Sequence, residues 1–391
     1  MIHRIATLIA TAAGAVAVCS TGYYVLCLWS AARCLIERKG LAKPGGTIKT
    51  VPPVSVLKPL KGTDPEMYEN LRSHCVQEDS EYEIIFGVSD PSDSAIQVVE
   101  RLRREFPQRA ISLVVCPKRL GPNTKVSNLA QMLGTARYKY IVVNDSDIRV
   151  PRDYLQRITS PLANPQVGMV TCLYRGVPNS TLGSQLESLG ISTDFSAGVL
   201  AARQLEGAVR FGLGSTLVLR RRDLEMIGGF EALVDYLGDD YEIGRRIAER
   251  GLKVELSDVV LETFLPLYTL RQFLEHQQRW GRTIRDSRRW GYFGLVVTFG
   301  WPWAVLALIL SHGTLWAWKL LALVVALRLA VAIVTGRFVL QDHKVLTLLP
   351  LLPLRDLVAL LVWIGSLVGH KVIWRGDSFT LEDGKLVRIK S

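Results

Sequence analysis

The strongest constraint on the fold is a long apolar segment near the N-terminus. Residues 5–32 contain no charged side chain, and about 20 apolar residues suffice for a helix to span a bilayer. A secretory signal peptide is the alternative, but its apolar part is shorter than this run. The sequence therefore predicts a transmembrane anchor over residues 1–32. By the positive-inside rule, the next part of the chain lies in the cytoplasm, because four basic residues follow the anchor: Arg33, Arg38, Lys39 and Lys43.

The C-terminal part of the chain is also apolar, and it predicts a transmembrane region over residues 293–370. Residues 265–292, which precede it, are rich in Arg, Gln and Trp, as is typical of an amphipathic segment at a membrane surface. Three crossings would put the tail, 371–391, outside, whereas its basic residues favour the cytoplasm. We therefore expect one apolar segment to be re-entrant or interfacial, or the last to be a hairpin. The three segments are 293–311, 314–336 and 345–370.

Composition limits the alternatives. The chain has 391 residues, 49% of them hydrophobic, so it is too long for one ordinary domain and apolar enough for an integral membrane protein. Its net charge of +11 does not predict nucleic-acid binding, because no such motif is visible and much of the basic excess lies beside the apolar segments. The six cysteines show neither a disulfide framework nor a zinc spacing, which fits a reducing cytoplasm.

Between the apolar regions, the sequence predicts a linker over 33–51 and an α/β domain over 52–264. Short apolar strands alternate there with helical patterns, which favours a mostly parallel sheet covered by helices. Farther on, an apolar stripe predicts a helix of the same domain over 182–200, and a further helix over 241–250 ends at Gly251. The strands are predicted at 54–60, 83–90, 111–116, the run around Ile141, 167–173 and 215–220, with helices at 94–106 and 125–135.

Acidic residues follow two of these strands. Asp90 comes after the second, and Asp145 and Asp147 come after the fourth, in the sequence IVVNDSDIR. Ligands of parallel α/β sheets bind beyond the carboxyl ends of the strands, so we expect these acids to share one crevice. Hard divalent cations take oxygen ligands, and a sugar-nucleotide diphosphate is commonly held through such an ion. The pattern therefore indicates a nucleotide-sugar site with Mg²⁺ or Mn²⁺, a solvated loop being the alternative.

Two later markers complete the series. Asp240 precedes a helix, and residues 276–280 read HQQRW just before the apolar region. In this order the markers resemble the D, D, D, (Q/R)xxRW signature of membrane-bound inverting GT-A glycosyltransferases. The chain is most similar to the ceramide glucosyltransferase family, which includes bacterial enzymes that glycosylate hopanoid lipids. Its first signature position departs from the pattern, with His276 in place of Gln or Arg. Local strings add to the resemblance: SVLKPLK at 55–61, KVSNL at 125–129, DSDIR at 145–149 and GGF at 228–230.

The resemblance implies a Rossmann-like GT-A domain and roles for donor-binding residues. Asp90 would accept a hydrogen bond from the uracil ring, with Asp93 as the alternative. Lys125 and Asn128, where a loop enters a helix, would contact the nucleotide, although a surface lysine is the alternative for Lys125.

The remaining residues would act on the diphosphate and the acceptor. Asp147 would hold the metal, with Asp145 sharing it or contacting the ribose. Asp240 would be the general base that takes the acceptor proton, which implies direct displacement with inversion and a β-linkage. Arg279 would pair with the diphosphate, and its planar guanidinium suits that partner better than a lysine. Trp280 would stack on a sugar or wall the acceptor site, an interfacial anchor being the alternative.

Together these features predict a multi-pass membrane enzyme with a cytoplasmic catalytic domain, in a bacterial inner membrane or, in a eukaryote, the Golgi. It would move one glucose or N-acetylglucosamine from a UDP-sugar to a hydroxyl of a membrane lipid such as ceramide or a hopanoid. A processive polysaccharide synthase of the same superfamily is one alternative. A membrane-anchored nucleotide-binding protein without catalysis is another.

Overall fold

The computed structural model describes residues 2–41, 51–64, 66–78, 81–374 and 377–388. Residues 42–50 of the predicted linker, and residues 375–376 and 389–391 of the predicted tail, lie outside the described residues. The described helices are α1 Ile2–Leu41, α2 Met67–Cys75, α3 Ala95–Glu105, α4 Thr124–Leu133, α5 Tyr154–Thr159, α6 Leu182–Gly190, α7 Ser196–Glu206, α8 Arg221–Met226, α9 Asp239–Glu249, α10 Leu270–Ser287, α11 Arg289–Gly294, α12 Gly300–Leu310, α13 Leu315–Ala332, α14 Lys344–Leu348 and α15 Leu352–Ser366. The described strands are β1 Val54–Pro59, β2 Tyr82–Val88, β3 Ala110–Val115, β4 Tyr140–Val143, β5 Ile148–Arg149, β6 Val167–Val177, β7 Leu217–Arg220, β8 Lys253–Phe264, β9 Lys371–Trp374, β10 Asp377–Glu382 and β11 Lys385–Arg388.

The chain forms two compact units. The first, here called the helical unit, contains residues 1–42, 180–204 and 267–375. The second, here called the sheet unit, contains residues 43–179, 205–266 and 376–391.

The sheet unit is built on an eight-stranded mixed sheet with the order β3-β2-β1-β4-β7-β6-β8-β5. Strands β1, β2, β3 and β4 pair in parallel, as their alternation with helices predicted. Every residue of β1 and β2 is buried, including the polar side chains of Ser55, Lys58 and Glu83, as is typical of the central strands of a parallel sheet. Strand β7 runs antiparallel to both β4 and β6. The mostly parallel sheet predicted from the sequence did not include this reversal.

This topology brings several loops to one edge of the sheet. Strands β2, β1 and β4 end side by side, with Pro59 opposite Gly87 and Leu57 opposite Val143. The loops that carry Asp90 and Asp145 start where β2 and β4 end, so both begin at the carboxyl edge.

Among its described residues, the helical unit has three helices long and apolar enough to cross a membrane: Arg4–Gly40, Leu315–Val339 and Lys344–Ser366. A fourth apolar stretch consists of Arg289–Thr298 and Gly300–Leu310, which meet at a bend of 56°. A bend of this size occurs in a broken span and in a re-entrant loop, so the expectation that one apolar segment is re-entrant or interfacial, or that the last is a hairpin, stays a prediction. Helix α10 begins with a capping box between Thr269 and Gln272 and covers most of the predicted amphipathic segment.

The structure differs from the predicted boundaries and elements in four places. Residues 33–41, assigned to the linker, continue helix α1 to Leu41, since residues 33–39 contain neither Pro nor Gly. Residues 180–204, assigned to the α/β domain, belong to the helical unit because their apolar stripe packs there: Leu189 clusters with Ala332 and Leu352. The single helix predicted over 182–200 is interrupted by a π-helical turn at Ile191–Phe195. The described part of the predicted tail forms strands, among them the β10–β11 hairpin of the sheet unit.

Candidate active site

The turn after β4 is held by a buried asparagine. The two hydrogens of Asn144 Nδ2 are shared among three acceptors within hydrogen-bond distance: the hydroxyl of Tyr154 at 2.9 Å, the carbonyl of Ser215 at 2.8 Å and Oγ1 of Thr216 at 2.8 Å. Asn144 is fully buried, so these bonds join the end of β4 to the segment that leads into β7. The residue that directly precedes Asp145 is therefore fixed in place.

Asp147 is anchored on strand β8. The Oγ1 of Thr263 donates to Asp147 Oδ2 at 2.6 Å, and the amide of Phe264 donates to the Asp147 carbonyl at 3.0 Å. Burial, and next the negative charge of Asp145, raise the pKa of Asp147 to about 6. Two carboxylates that repel each other in this way provide oxygen ligands suited to a divalent cation. Within the described residues, no group of three or more His, Cys, Asp or Glu side chains is arranged to hold a metal by itself.

Lys125 bridges two acidic loops. Its Nζ lies 2.8 Å from Oδ1 of Asp145 and 3.5 Å from Oδ2 of Asp239. Burial opposes the charge on Lys125, but Asp145 and Asp239 outweigh it and raise the pKa of the ammonium above its ordinary value. Lys125 lies in the first turn of α4, whose N-cap Asn123 accepts a hydrogen bond from the amide of Val126.

Asp240 lies at the start of α9 beside these groups. Its Oδ1 accepts a hydrogen bond of 2.8 Å from the amide of Tyr241. A Cβ on Gly214 would lie 3.1 Å from Oδ2 of Asp240 and 3.6 Å from Oδ2 of Asp145, so the two carboxylates approach the same small residue. Burial and the charge of Asp239 raise the pKa of Asp240 to about 6, while Lys125 lowers it. A carboxylate with this pKa is suited to act as a base near neutral pH.

The two acids after β2 differ in what they contact. Asp90 is exposed, and its Oδ1 accepts hydrogen bonds from Oγ of Ser92 at 2.6 Å and from the amide of Ser92 at 2.8 Å, which lower its pKa. Asp93 accepts from the amide of Gly62 at 2.9 and 3.0 Å and from the amide of Ala95, at the start of α3, at 2.9 Å. The alternative donor residue, Asp93, thus ties two loops together, whereas Asp90 bonds only within its own turn among the described contacts.

Asn128, on α4, is tied to the loop of Asp90. The Oγ of Ser89 donates to Asn128 Oδ1 at 2.9 Å, and the Asn128 side chain is buried. This bond joins the end of β2 to the helix that carries Lys125, so the predicted donor-binding residues are linked through one framework.

Arg279 and Trp280 lie on α10 in the helical unit. The ring of Trp280 lies 6.0 Å from that of Phe195 and 5.5 Å from that of His276. The ring of His276 stacks on Tyr268 at 5.6 Å. Trp280 is therefore part of an aromatic cluster within the helical unit.

Sequence reasoning missed a buried lysine under the acidic turn. Lys58 is fully buried in β1, and its Nζ donates to the carbonyl of Asp145 at 2.9 Å and contacts Nε2 of His74 at 3.3 Å. Burial lowers the pKa of Lys58 to about 7, against the charges of Asp145 and Asp147. A lysine inside the apolar run VSVLKPL was the available signal. Asp239 and Gly214 were also missed, because only tertiary contacts distinguish them from their neighbours.

Comparisons with known proteins agree with this arrangement. Residues 12–387 match the family model described as glycosyl transferase family 21. The chain is 26% identical over 232 residues to ceramide glucosyltransferase 3 of Caenorhabditis elegans, covering 59% of this chain and 50% of that protein. It is 23% identical over 354 residues to ceramide glucosyltransferase 1 of the same organism, covering 87% and 74%. The match thus spans half the length of the first relative.

A solved structure is similar over nearly the whole chain. It is the mannosyltransferase PcManGT from Pyrobaculum calidifontis in complex with GDP-Man and Mn²⁺, with a TM-score of 0.58 and 22% identity, covering 93% of this chain and 99% of that one. At this identity the likeness concerns the fold alone. It confirms the predicted GT-A fold.

Proposed function

Because the chain belongs to glycosyl transferase family 21, we propose that it is an inverting enzyme that moves one hexose from a UDP-sugar to a hydroxyl of a membrane lipid. The observation that carries the proposal is the approach of the Asp240 and Asp145 carboxylates to Gly214, with Lys125 bonded to Asp145. Pure nucleotide binding does not need a base, whereas glycosyl transfer does. A lipid acceptor is supported by the three helices suited to cross a membrane and by the relatives' names.

In this reaction Asp240 Oδ2 takes the proton of the acceptor hydroxyl. The hydroxyl oxygen then forms a bond to the anomeric carbon of the donor as the bond from that carbon to the diphosphate oxygen breaks. The leaving UDP carries the electron pair of the broken bond, and the anomeric configuration inverts because attack comes from the opposite face. The raised pKa of Asp240 makes its carboxylate basic enough for this transfer while it remains ionised at neutral pH.

The donor diphosphate binds near the acids after β4. Asp147 would hold Mg²⁺ or Mn²⁺ through its carboxylate oxygens, with Asp145 sharing the ion or contacting the ribose, because a cation would offset the repulsion that helps to raise the pKa of Asp147. When bound, such an ion offsets the negative charge that develops on the leaving diphosphate. Asp90 contacts the uracil ring, Asn128 and Lys125 contact the nucleotide, and Arg279 pairs with the diphosphate. These four roles are the ones that the family resemblance implied, and they remain part of the proposal.

Because its acceptor is a lipid, the enzyme lies in a membrane and crosses it several times. The sheet unit faces the cytoplasm, where UDP-sugars are available. Trp280 contributes a ring to the acceptor side. Glucose or N-acetylglucosamine as donor, and ceramide or a hopanoid as acceptor, are the four combinations to compare.

The test is transfer of labelled sugar by the full chain in detergent with Mn²⁺. UDP-glucose and UDP-N-acetylglucosamine are each offered with ceramide and with a polyhydroxylated hopanoid. We expect that one of the two donors gives a labelled lipid, which organic solvent extracts. Label in insoluble polymer alone would instead indicate a processive synthase.

A variant separates catalysis from binding. Asp240→Asn removes the base, so transfer falls by about 10²- to 10⁴-fold while UDP-sugar binding persists. Asp235→Asn is the matched control, since this exposed acid of the preceding loop is in the same segment. Equal transfer by Asp240→Asn and Asp235→Asn would contradict the proposal.

A further inference from the structure

The helical unit contains two buried charged side chains whose hydrogen-bonding groups are only partly used. Arg355 is 8% exposed, and its Nη2 lies 3.5 Å from both Oδ2 of Asp194 and Oε1 of Gln277. Glu187 is 4% exposed, and its Oε1 lies 3.1 Å from Nδ1 of His276. In the described part of the chain, Nε and Nη1 of Arg355 and Oε2 of Glu187 have no hydrogen-bond partner. Buried polar atoms without partners are costly, and those of charged groups are the costliest.

These atoms lie at one junction of three helices. Glu187 and Gly190 are three residues apart on α6, and therefore on the same face. A Cβ on Gly190 would overlap the guanidinium of Arg355, at Nε and Nη2, so α15 presents Arg355 directly to α6. Helix α10 brings in His276 beside Glu187 and Gln277 beside Arg355. The partly unpaired carboxylate and guanidinium thus face the same three-helix junction.

A neighbouring arginine shows what a fully paired group looks like in this unit. Arg328 donates from Nε to Oδ2 of Asp356 at 2.9 Å and from Nη2 to Oδ1 of Asp356 at 2.8 Å. Its Nη1 donates to the carbonyl of Thr193 at 3.3 Å, and its Nη2 also pairs with Asp194. Arg328 therefore joins helices as a saturated ion pair. Arg355, one residue from Asp356, is not used in that way.

The π-helical turn Ile191–Phe195 begins directly after Gly190. Such turns shift the side chains that follow and are frequent at functional sites. Here the turn carries Asp194, which contacts both Arg328 and Arg355, and Phe195, which contacts Trp280. The junction thus adjoins the aromatic cluster of Phe195, Trp280, His276 and Tyr268.

The unused atoms specify what would satisfy them. Two nitrogens of Arg355, Nε and Nη1, require oxygen acceptors for their N–H groups, and Oε2 of Glu187 requires an O–H or N–H donor. Three carboxylates, of Glu187, Asp194 and Asp356, meet two guanidinium groups here, so an anionic phosphate head group is disfavoured. An ionisable residue within a membrane-spanning segment is by default a functional candidate, and Arg355 lies in Lys344–Ser366.

We propose that Arg355 and Glu187 bind the head group of a neutral, hydroxylated lipid, Arg355 by donating to a carbonyl or hydroxyl oxygen and Glu187 by accepting from a hydroxyl. This inference rests on the proposed function, for which it names the residues that recognise the acceptor. The acceptor enters from the bilayer with its chains among the apolar helices and its polar end at this junction.

The test uses the full chain in detergent and short-chain ceramide as the probe. Arg355→Gln removes the donors, and Gly190→Ala displaces the guanidinium but keeps its charge. The guanidinium is the far end of a flexible side chain, so Gly190→Ala folds even if Arg355→Gln does not. Arg285→Gln is the matched control, because Arg285 is also 8% exposed but donates to the carbonyls of Ser366 at 2.7 Å and Gly369 at 2.9 Å.

Three quantities are measured: the KM for ceramide and for the UDP-sugar, ceramide retained in native mass spectrometry without donor, and the Tm. We expect Arg355→Gln and Gly190→Ala to raise the ceramide KM about 10-fold or more and to reduce ceramide retention, with the UDP-sugar KM and the Tm unchanged. Arg285→Gln lowers the Tm and leaves the ceramide KM unchanged. Phosphatidic acid is expected to be retained less than ceramide by the unsubstituted protein.

An unchanged ceramide KM and unchanged retention in both variants would overturn the proposal, as would a lowered Tm as their only effect. Stronger retention of phosphatidic acid would overturn it as well. Failure of the proposed function has a different signature. In that case the unsubstituted protein retains ceramide in a manner dependent on Arg355 but transfers no sugar to it.

Discussion

Replacing Lys125 by Met gives a direct test of how charge sets the base at Asp240. Lys125 contacts Asp145 at 2.8 Å and Asp239 at 3.5 Å, and its positive charge lowers the pKa of Asp240. Asp240 acts only when ionised, so activity is lost as the pH falls through its pKa, which is about 6. Removing the positive charge favours the protonated acid, and the acidic limb of the pH–rate profile therefore moves to higher pH.

The size of the shift follows from the surroundings of Lys125. Its side chain is 13% exposed and that of Asp239 is 8% exposed, so solvent screens this cluster less than a surface pair. Two unit charges at 4 Å interact by about 4 kcal/mol at an effective dielectric constant of 20. Asp240 is not a direct partner of Lys125, and part of that energy is screened. We expect a shift of about one pH unit, equivalent to about 1.4 kcal/mol.

The assay is kcat/KM for the acceptor between pH 5 and 9 at saturating donor and metal. Lys125→Arg keeps the charge and should leave the limb where it is. Lys118→Met removes the same charge from an exposed position and serves as the control for net charge. A limb at the same pH in Lys125→Met and the unsubstituted protein would refute the reasoning. A limb that persists in the residual activity of Asp240→Asn would assign the titration to another group.

Three further results are expected. Gly214→Ala places a Cβ 3.1 Å from Oδ2 of Asp240, and kcat falls about tenfold or more with the fold retained by circular dichroism; unchanged kcat would show that this space is not used. Asp90→Asn raises the KM for the UDP-sugar, whereas Asp93→Asn, which weakens bonds to two backbone amides, lowers the free energy of unfolding by about 1 kcal/mol. A raised KM in Asp93→Asn and a lowered stability in Asp90→Asn would instead make Asp93 the donor-binding residue. Chelation by EDTA abolishes transfer and added Mn²⁺ restores it. Full transfer in the presence of EDTA would show that Asp145 and Asp147 act without a metal.

Much of the sheet unit could be predicted because its signals are local. Strands β1, β2 and β4 are short apolar runs, and helices α3 and α4 follow amphipathic patterns, so their bounds agree with the structure within a few residues. The acids after β2 and β4 were found for the same reason, since a polar residue after a buried strand marks the carboxyl edge of the sheet. The predicted fold and family are confirmed, whereas the roles of the site residues stay predictions.

Other features depend on partners distant in the chain. Residues 180–204 show an apolar stripe, but a stripe does not specify which unit it packs against, and the π-helical turn within them has no local signature. Likewise, Asp239 and Asp240 are neighbours in sequence, yet only the positions of Lys125 and Gly214 show which acid forms an ion pair and which faces the shared space.

The sequence by itself determined the apolar segments and the α/β sheet, because apolar length and strand–helix alternation are properties of contiguous residues, and the ordered motifs added the resemblance that implied a GT-A domain. Only the tertiary structure decided the electrostatics. Lys58 under the turn of Asp145, the raised pKa of Asp240 and the partly unpaired Arg355 beside Gly190 all arise from groups brought together across long stretches of chain. Desolvation and charge depend on distance in space, and the spacing of residues along the chain does not encode that distance.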